Sequence, residues 1–238
     1  LEPHRAYRLK QIHSALVHPT PVEPDASGDA LWTGRAGESV WVGSADCTPI
    51  LLADPVSGTV AAIHAGWRGT AQSILPATIE HLRRAGADPR DLLCAMGPAI
   101  SGRAYQVSES VAFEVTGTVQ RAELALLPDV EPGKVRLDVR EVNRQQALQS
   151  GLRAERIAVC PACTFGSPDW LHSYRREGGG KIQFSGIGPG LAIEHRPGDD
   201  HGLHRPASGF AQGGSTARQR RAGGTDIVDQ QDRSAGSD

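Results

Sequence analysis

Between about residue 40 and residue 190 the apolar positions fall into short unbroken runs and into helical stripes, which alternate along the chain. Ser39–Gly43 reads as a short strand. Pro49–Ala53 is an apolar run of strand length and Thr59–Ala65 is a second. Asp54-Pro55-Val56-Ser57-Gly58 between them is turn chemistry, so the pair predicts a hairpin. A helix is expected over Thr70–Ala85: Ile74, Leu75, Ile79 and Leu82 share one face, Gly86 stops it, and Pro76 makes its first turn irregular. Leu92–Met96 reads as a strand, and Ser108–Val115 as a helix capped by Ser108. Val139–Gln149 reads as a helix between Asp138 as N-cap and Gly151 as stop, and Arg156–Val159 as a strand. This order mixes hairpins with crossovers and predicts an α+β, layered domain with mixed sheets.

The flanks differ. Residues 1–30 are polar and Pro-rich apart from Leu9–Val17, and no element is assigned to them otherwise. From about His195 onward Gly, Ser, Arg, Gln and Asp dominate and large apolar residues almost vanish. Such a segment buries too little surface to offset its ordering entropy, so 195–238 is expected to be a disordered tail behind one domain over 1–194. The net charge of -2 gives no electrostatic case for a nucleic-acid or membrane partner. No apolar run approaches the ~20 residues of a membrane span, and no secretory signal opens the chain. Four cysteines, Cys47, Cys94, Cys160 and Cys163, are too few for a disulfide scaffold at this length, so reduced thiols in a cytoplasmic protein are expected.

Three stretches carry residue types suited to a metal: Gln11-Ile12-His13, Ala45-Asp46-Cys47-Thr48-Pro49 and His64-Ala65-Gly66-Trp67-Arg68-Gly69. Cys47 precedes one strand of the expected hairpin and His64 ends its partner, which puts both at one end of it. A thiolate and imidazoles favour zinc, and three protein ligands leave the fourth tetrahedral position open, as at catalytic sites. Arg68, with Gly66, Gly69 and a following helix start, makes an anion site against the alternative of a structural salt bridge. Asp46 orients an imidazole, contacts a sugar or caps a turn. The same residues without metal form a cysteine hydrolase, with Cys47 as nucleophile and His64 as base. A copper oxidase is less favoured: no His-x-His occurs, and the one methionine is Met96. Cys160-Pro161-Ala162-Cys163 is a C-x-x-C without a second pair, read as structural. His18, His81, His195, His201 and His204 read as surface or tail residues, and His172 as a pocket wall.

The run Ala45–Pro49 followed by His64–Ile74 closely resembles the laccase-domain, YfiH-like family, also called polyphenol oxidases or peptidoglycan-editing proteins. Further matches are Gln11–His13, Met96–Ile100 followed by Tyr105-Gln106-Val107, Asn143-Arg144, Cys163-Thr164 and Ser173-Tyr174-Arg175-Arg176. The resemblance spans roughly residues 9–190. It implies a layered α-β-β-α fold and a zinc held by His13, Cys47 and His64. It also implies phosphorolysis of adenosine, inosine, guanosine and methylthioadenosine, with adenosine deamination as a further activity. On that basis Cys47, Asp46 and Arg68 are the catalytic candidates, and Arg68, Tyr174, Arg175 and Arg176 the substrate-binding ones. The substrates implied are purine nucleosides and phosphate. Editing of cell-wall precursors by a Cys–His hydrolase, copper polyphenol oxidation, and an inactive, truncated zinc-binding relative are the alternatives. The last rests on the twelve residues before His13, where the family has some tens.

Overall fold

The computed structural model describes residues 5–190. In chain order the elements are β1 (Arg5–Tyr7), β2 (Val17–Pro19), β3 (Ala30–Thr33), β4 (Glu38–Ser44), β5 (Thr48–Ala53), β6 (Val60–Ala65), α1 (Trp67–Ala71), α2 (Ile74–Arg84), β7 (Leu93–Met96), β8 (Gln106–Ser108), α3 (Glu109–Thr116), β9 (Leu126–Pro128), β10 (Lys134–Leu137), α4 (Val139–Gln149), β11 (Ile157–Val159), α5 (Tyr174–Glu177) and β12 (Gln183–Ile187). A six-stranded sheet runs β11-β7-β5-β6-β3-β2, and three-stranded sheets run β1-β4-β12 and β8-β10-β9. Parallel and antiparallel pairs occur together, as expected for a mixed α+β layering.

The hairpin β5–β6 is the centre of the described fold because it is apolar on both faces. Successive strand side chains point to opposite sides. Ile50, Leu52, Ala61, Ile63 and Ala65 meet α2 through Ile74, Leu75, Ile79 and Leu82. Leu51, Ala53, Val60 and Ala62 face the other way and pack with Val40 and Val42 of β4 and Ile187 of β12. A third cluster, Val107, Val115, Leu137, Val139 and Val142, joins α3, α4 and the small β8-β10-β9 sheet, with Trp67 and Ala71 of α1 packed against it.

Caps follow the sequence reading. Ser108 Oγ accepts from Val111 N at 3.3 Å, Asp138 from Glu141 N at 3.2 Å, and Gly151 takes φ +98 just past α4. Two expectations change. The helix expected over Thr70–Ala85 is two helices, because Ser73 adopts a left-handed φ of 64 between α1 and α2. Pro76 then falls in the first turn of α2, where its missing N–H has no helical partner to lose. The polar N-terminal stretch also supplies strands: β1 pairs with β4 and β2 with β3. Both are three residues long, too short for periodicity to register. Among the described residues no helix is long and apolar enough to cross a membrane. The expected tail at 195–238, with His195, His201 and His204, lies outside the described residues.

Candidate metal centre

The register of the hairpin decides where its chemistry goes. Thr48 pairs with Ala65 and Pro49 with His64. One step beyond the ladder, Cys47 therefore lies opposite Gly66. Cys47 and Pro49 share one face of the sheet by their two-residue spacing, and His64 lies opposite Pro49 on that face. His13 arrives from a loop whose approach is fixed by Gln11: its amide donates to the Gly43 carbonyl at 2.7 Å and accepts from Gly43 N at 2.8 Å. Nitrogens of His13 and His64 and the Cys47 sulfur all lie within 4.8 Å of one another. Cys47 Sγ is 3.9 Å from His13 Nε2, and the two imidazoles meet edge-on at 4.9 Å. Gly66 is required here for space. A Cβ on it would sit 2.7 Å from Cys47 Sγ and 3.1 Å from His13 Cδ2.

Behind the cluster stands Asp29, fully buried. Its Oδ1 accepts from His64 Nδ1 at 2.9 Å and from His13 N at 3.1 Å. Its Oδ2 accepts from Ser14 N at 2.6 Å, Ser14 Oγ at 2.7 Å and Ile12 N at 3.3 Å. The Asp29 carbonyl accepts from His64 N at 2.7 Å. His13 holds a left-handed φ of 58 and Asp46 one of 88. For non-glycine residues this costs about 1–2 kcal/mol each, so both positions depend on contacts that over-determine them.

The charges are coupled. Burial pushes the Cys47 thiol up, but the charge of His64 and hydrogen bonds from His13 and His64 outweigh it and bring it down to about 6. Burial opposes a charge on His64, yet the Cys47 thiolate and the hydrogen bond to Asp29 raise it to about 10. Burial also opposes the charge on Asp29, which hydrogen bonds from His64 and Ser14 hold below the usual carboxylate range. Without metal, the site thus favours thiolate and imidazolium over the neutral pair at neutral pH.

The donor set fits a thiophilic divalent ion. Zinc bonds of about 2.3 Å to sulfur and 2.0–2.1 Å to nitrogen place tetrahedral S and N ligands about 3.5 Å apart, near the observed 3.9 Å. With Nδ1 of His64 engaged by Asp29, Nε2 is the nitrogen left to face a metal. Among the described residues these three are the ones that gather as a metal-holding group.

Both Asp46 carboxylate oxygens are engaged: Oδ1 accepts from Thr164 Oγ1 at 2.5 Å and Oδ2 from Arg175 N at 2.7 Å. Asp46 thus ties the 164–175 segment to the residue beside Cys47, and Asp29, not Asp46, orients the imidazole. Arg175 donates to the Gln106 carbonyl at 3.1 Å, and its guanidinium lies 5.0 Å from the Tyr105 ring centre. Burial, with the charge of Cys47 adding to it, pushes the Tyr105 hydroxyl up to about 12. Arg68 is exposed, stacks on Trp67 at 4.5 Å, and has no carboxylate partner among the described residues. Tyr174 is half exposed. Arg176 is placed differently from Arg175: its guanidinium donates to the carbonyls of Thr164, Phe165 and Leu171 and to Glu177. The C-x-x-C is not part of the donor cluster. Buried Arg140 holds the Cys160 and Ala162 carbonyls at 2.6 and 2.9 Å, and Cys163 Sγ accepts from Ser101 N at 3.3 Å. Asp29, Tyr105 and Thr164 received no role from the sequence. For Asp29 the available signal was only an acidic residue directly before the short run Ala30–Thr33.

The chain matches the family model described as multi-copper polyphenol oxidoreductase laccase over residues 1–186. It is 42% identical over 209 residues to a purine nucleoside phosphorylase of Synechocystis sp., covering 77% of this chain and 79% of that protein. To a purine nucleoside phosphorylase of Deinococcus radiodurans it is 36% identical, covering 72% of this chain and 65% of the relative. Among solved structures it resembles YlmD from Geobacillus stearothermophilus at a TM-score of 0.73 and 30% identity, covering 78% of this chain and 74% of that one. YfiH of Bacillus licheniformis gives a TM-score of 0.72 at the same identity and coverage. With its hairpin-end His-Cys-His cluster and a match across nearly all of the described residues, the chain belongs to the laccase-like, YfiH family.

Proposed function

We propose that this chain is a zinc-dependent purine nucleoside phosphorylase, which takes a nucleoside and phosphate to free base and pentose 1-phosphate. The observation that carries the reading is the donor triangle of His13, Cys47 and His64, backed by Asp29 and bordered by the exposed cations Arg68 and Arg175. The named activities of the relatives supply the substrate class. In the reaction the glycosidic C1′–N bond breaks, a C1′–O bond to phosphate forms, and the departing base takes up a proton. Bound zinc would supply a Lewis acid at the open coordination position. Arg68 and Arg175 bind and orient the anionic phosphate, a task suited to a planar, permanently charged fork. Tyr174 contributes an exposed ring at the rim for the base or sugar. Asp46 keeps Arg175 in place through its backbone N–H. Arg176 holds the surrounding loop by its three carbonyl contacts. Adenosine deamination would draw on the same centre.

The test is elemental analysis and phosphate-dependent hypoxanthine release from inosine on one preparation. About one zinc per chain is expected, with turnover that requires phosphate. Arg68→Ala should raise KM for phosphate about tenfold, with zinc retained. Zinc binding without turnover of any purine nucleoside would reject the phosphorylase reading. A second reading uses the same groups without metal: Cys47, His64 and Asp29 stand in the order of a Cys–His–Asp hydrolase, with the thiol lowered to about 6. Activity that survives complete zinc removal and is abolished by thiol alkylation would favour it, with cell-wall precursors as the substrates to try.

A further inference from the structure

We propose that Asp29 is the positioning residue of the metal centre, fixing the coordinating nitrogen of His64 and the backbone of His13 with one carboxylate. The inference rests on the metal-centre reading above and adds the residue that assembles it. Three consecutive backbone N–H groups, of Ile12, His13 and Ser14, converge on Asp29, and so does the His64 ring. Two of the three ligands are therefore bound to each other through it. His64 cannot turn Nδ1 toward the metal without abandoning a hydrogen bond at a fully buried carboxylate. His13 cannot leave its left-handed conformation without withdrawing its N–H from the same group.

The chemistry requires a carboxylate. All five partners donate, two to Oδ1 and three to Oδ2. An asparagine of the same shape would set its NH₂ against at least two donors, whichever way it faced. With the NH₂ toward His64, the imidazole would have to move its own proton to Nε2, which presents an N–H to the metal. Fully buried, the carboxylate also brings a negative charge to the side of the His64 ring away from the metal position.

A comparable carboxylate provides the control. Asp54 is 3% exposed and accepts from Val56 N, Ser57 N and Ser57 Oγ, at the closed end of the same hairpin. A residue that matters only through folding should behave as Asp54 does.

The experiment measures zinc affinity by competition with a chromophoric chelator for the full chain, Asp29→Asn and Asp54→Asn. Asp29→Asn should bind zinc at least about tenfold more weakly, the range found when a partner of a ligating histidine is lost. Asp54→Asn should lose stability but keep its zinc affinity. Zinc affinity in Asp29→Asn equal to that of the unaltered chain, or an equal loss in both variants, overturns the proposal. Should Asp29→Asn fail to fold, long-range ¹H–¹⁵N spectra of the zinc-loaded unaltered chain decide. Nδ1 of His64 should carry the proton and Nε2 the metal, and the reverse overturns the proposal. Absence of stoichiometric zinc in the unaltered chain overturns the metal-centre reading itself, and shows before any variant is made.

Discussion

The two ends of the β5–β6 hairpin use the same device for different purposes. At the closed end Asp54 gathers the backbone N–H groups of Val56 and Ser57 and the Ser57 hydroxyl. At the open end Asp29 gathers those of Ile12, His13 and Ser14, the Ser14 hydroxyl and the His64 ring. Every partner of the Asp54 carboxylate lies within three residues of it. The partners of Asp29 lie 15 to 17 residues before it and 35 after it. A carboxylate nested among local donors closes a turn. The same nest fed from distant segments holds three parts of the chain together, and there the His-Cys-His cluster sits. The strain is also unequal: glycine takes the positive φ at the closed end, at Gly58, whereas His13 and Asp46 take it at the open end.

The largest expected effect comes from breaking the open end. His64→Ala should abolish stoichiometric zinc and lower phosphate-dependent turnover by at least about a hundredfold, with the circular-dichroism spectrum unchanged. Should His64→Ala retain zinc, the donor set assigned here is wrong.

A change of pH sharpens the comparison next, because it acts on Cys47 and His64 at the open end. His64 is raised to about 10 and Cys47 lowered to about 6, so between these values the metal-free site holds a thiolate and an imidazolium. Zinc must displace the His64 proton. Apparent zinc affinity should therefore rise about tenfold per pH unit across that window and more steeply below it, where the thiol also binds a proton. The signs for stability agree. A raised histidine stabilises the metal-free fold below its unfolded value and loses this as pH rises through about 10. A lowered thiol stabilises it above its unfolded value and loses this as pH falls through about 6. A zinc affinity independent of pH across that window would show that zinc displaces no proton there, and that His64 is neutral in the metal-free site.

Alanine at the two glycines separates space from conformation. Gly66→Ala should weaken zinc about tenfold, since its Cβ would meet Cys47 Sγ at 2.7 Å. Gly58→Ala has no atom within 4 Å of the new Cβ but a φ of +74. It should cost about 1 kcal/mol of stability, read by urea denaturation, and leave zinc alone. The smallest effect on the metal is expected from Asp54→Ala. It should lower stability by about 1–2 kcal/mol, through the unsatisfied turn donors, with zinc affinity unchanged.

Much of the fold was legible because its signals are local. The hairpin appears as two apolar runs around Asp54–Gly58, and α4 as a stripe between Asp138 and Gly151. Elements without an internal pattern were not legible. β1 and β2 are strands because β4 and β3 offer them an edge, and α1 separates from α2 at a single left-handed serine. The site divides in the same way. His13, Cys47 and His64 stand out by residue type and family motif, and the open end of a hairpin was enough to bring two of them together. Arg175 and Arg176 were inseparable in sequence. Folding gives one a place beside Tyr105 and gives the other three carbonyls to hold.

By itself, then, the sequence determined the family and the central hairpin and marked out the three candidate donors, since these depend on motif, residue type, two-residue alternation and spacing across one turn. Only the tertiary structure decided that the buried partner of His64 is Asp29 and not Asp46, and that Gly66 is needed for room rather than for its backbone freedom. The physical reason is range. Hydrogen bonds and close approaches between segments tens of residues apart are set by how sheets and loops pack, and no local pattern along the chain encodes which carboxylate will arrive.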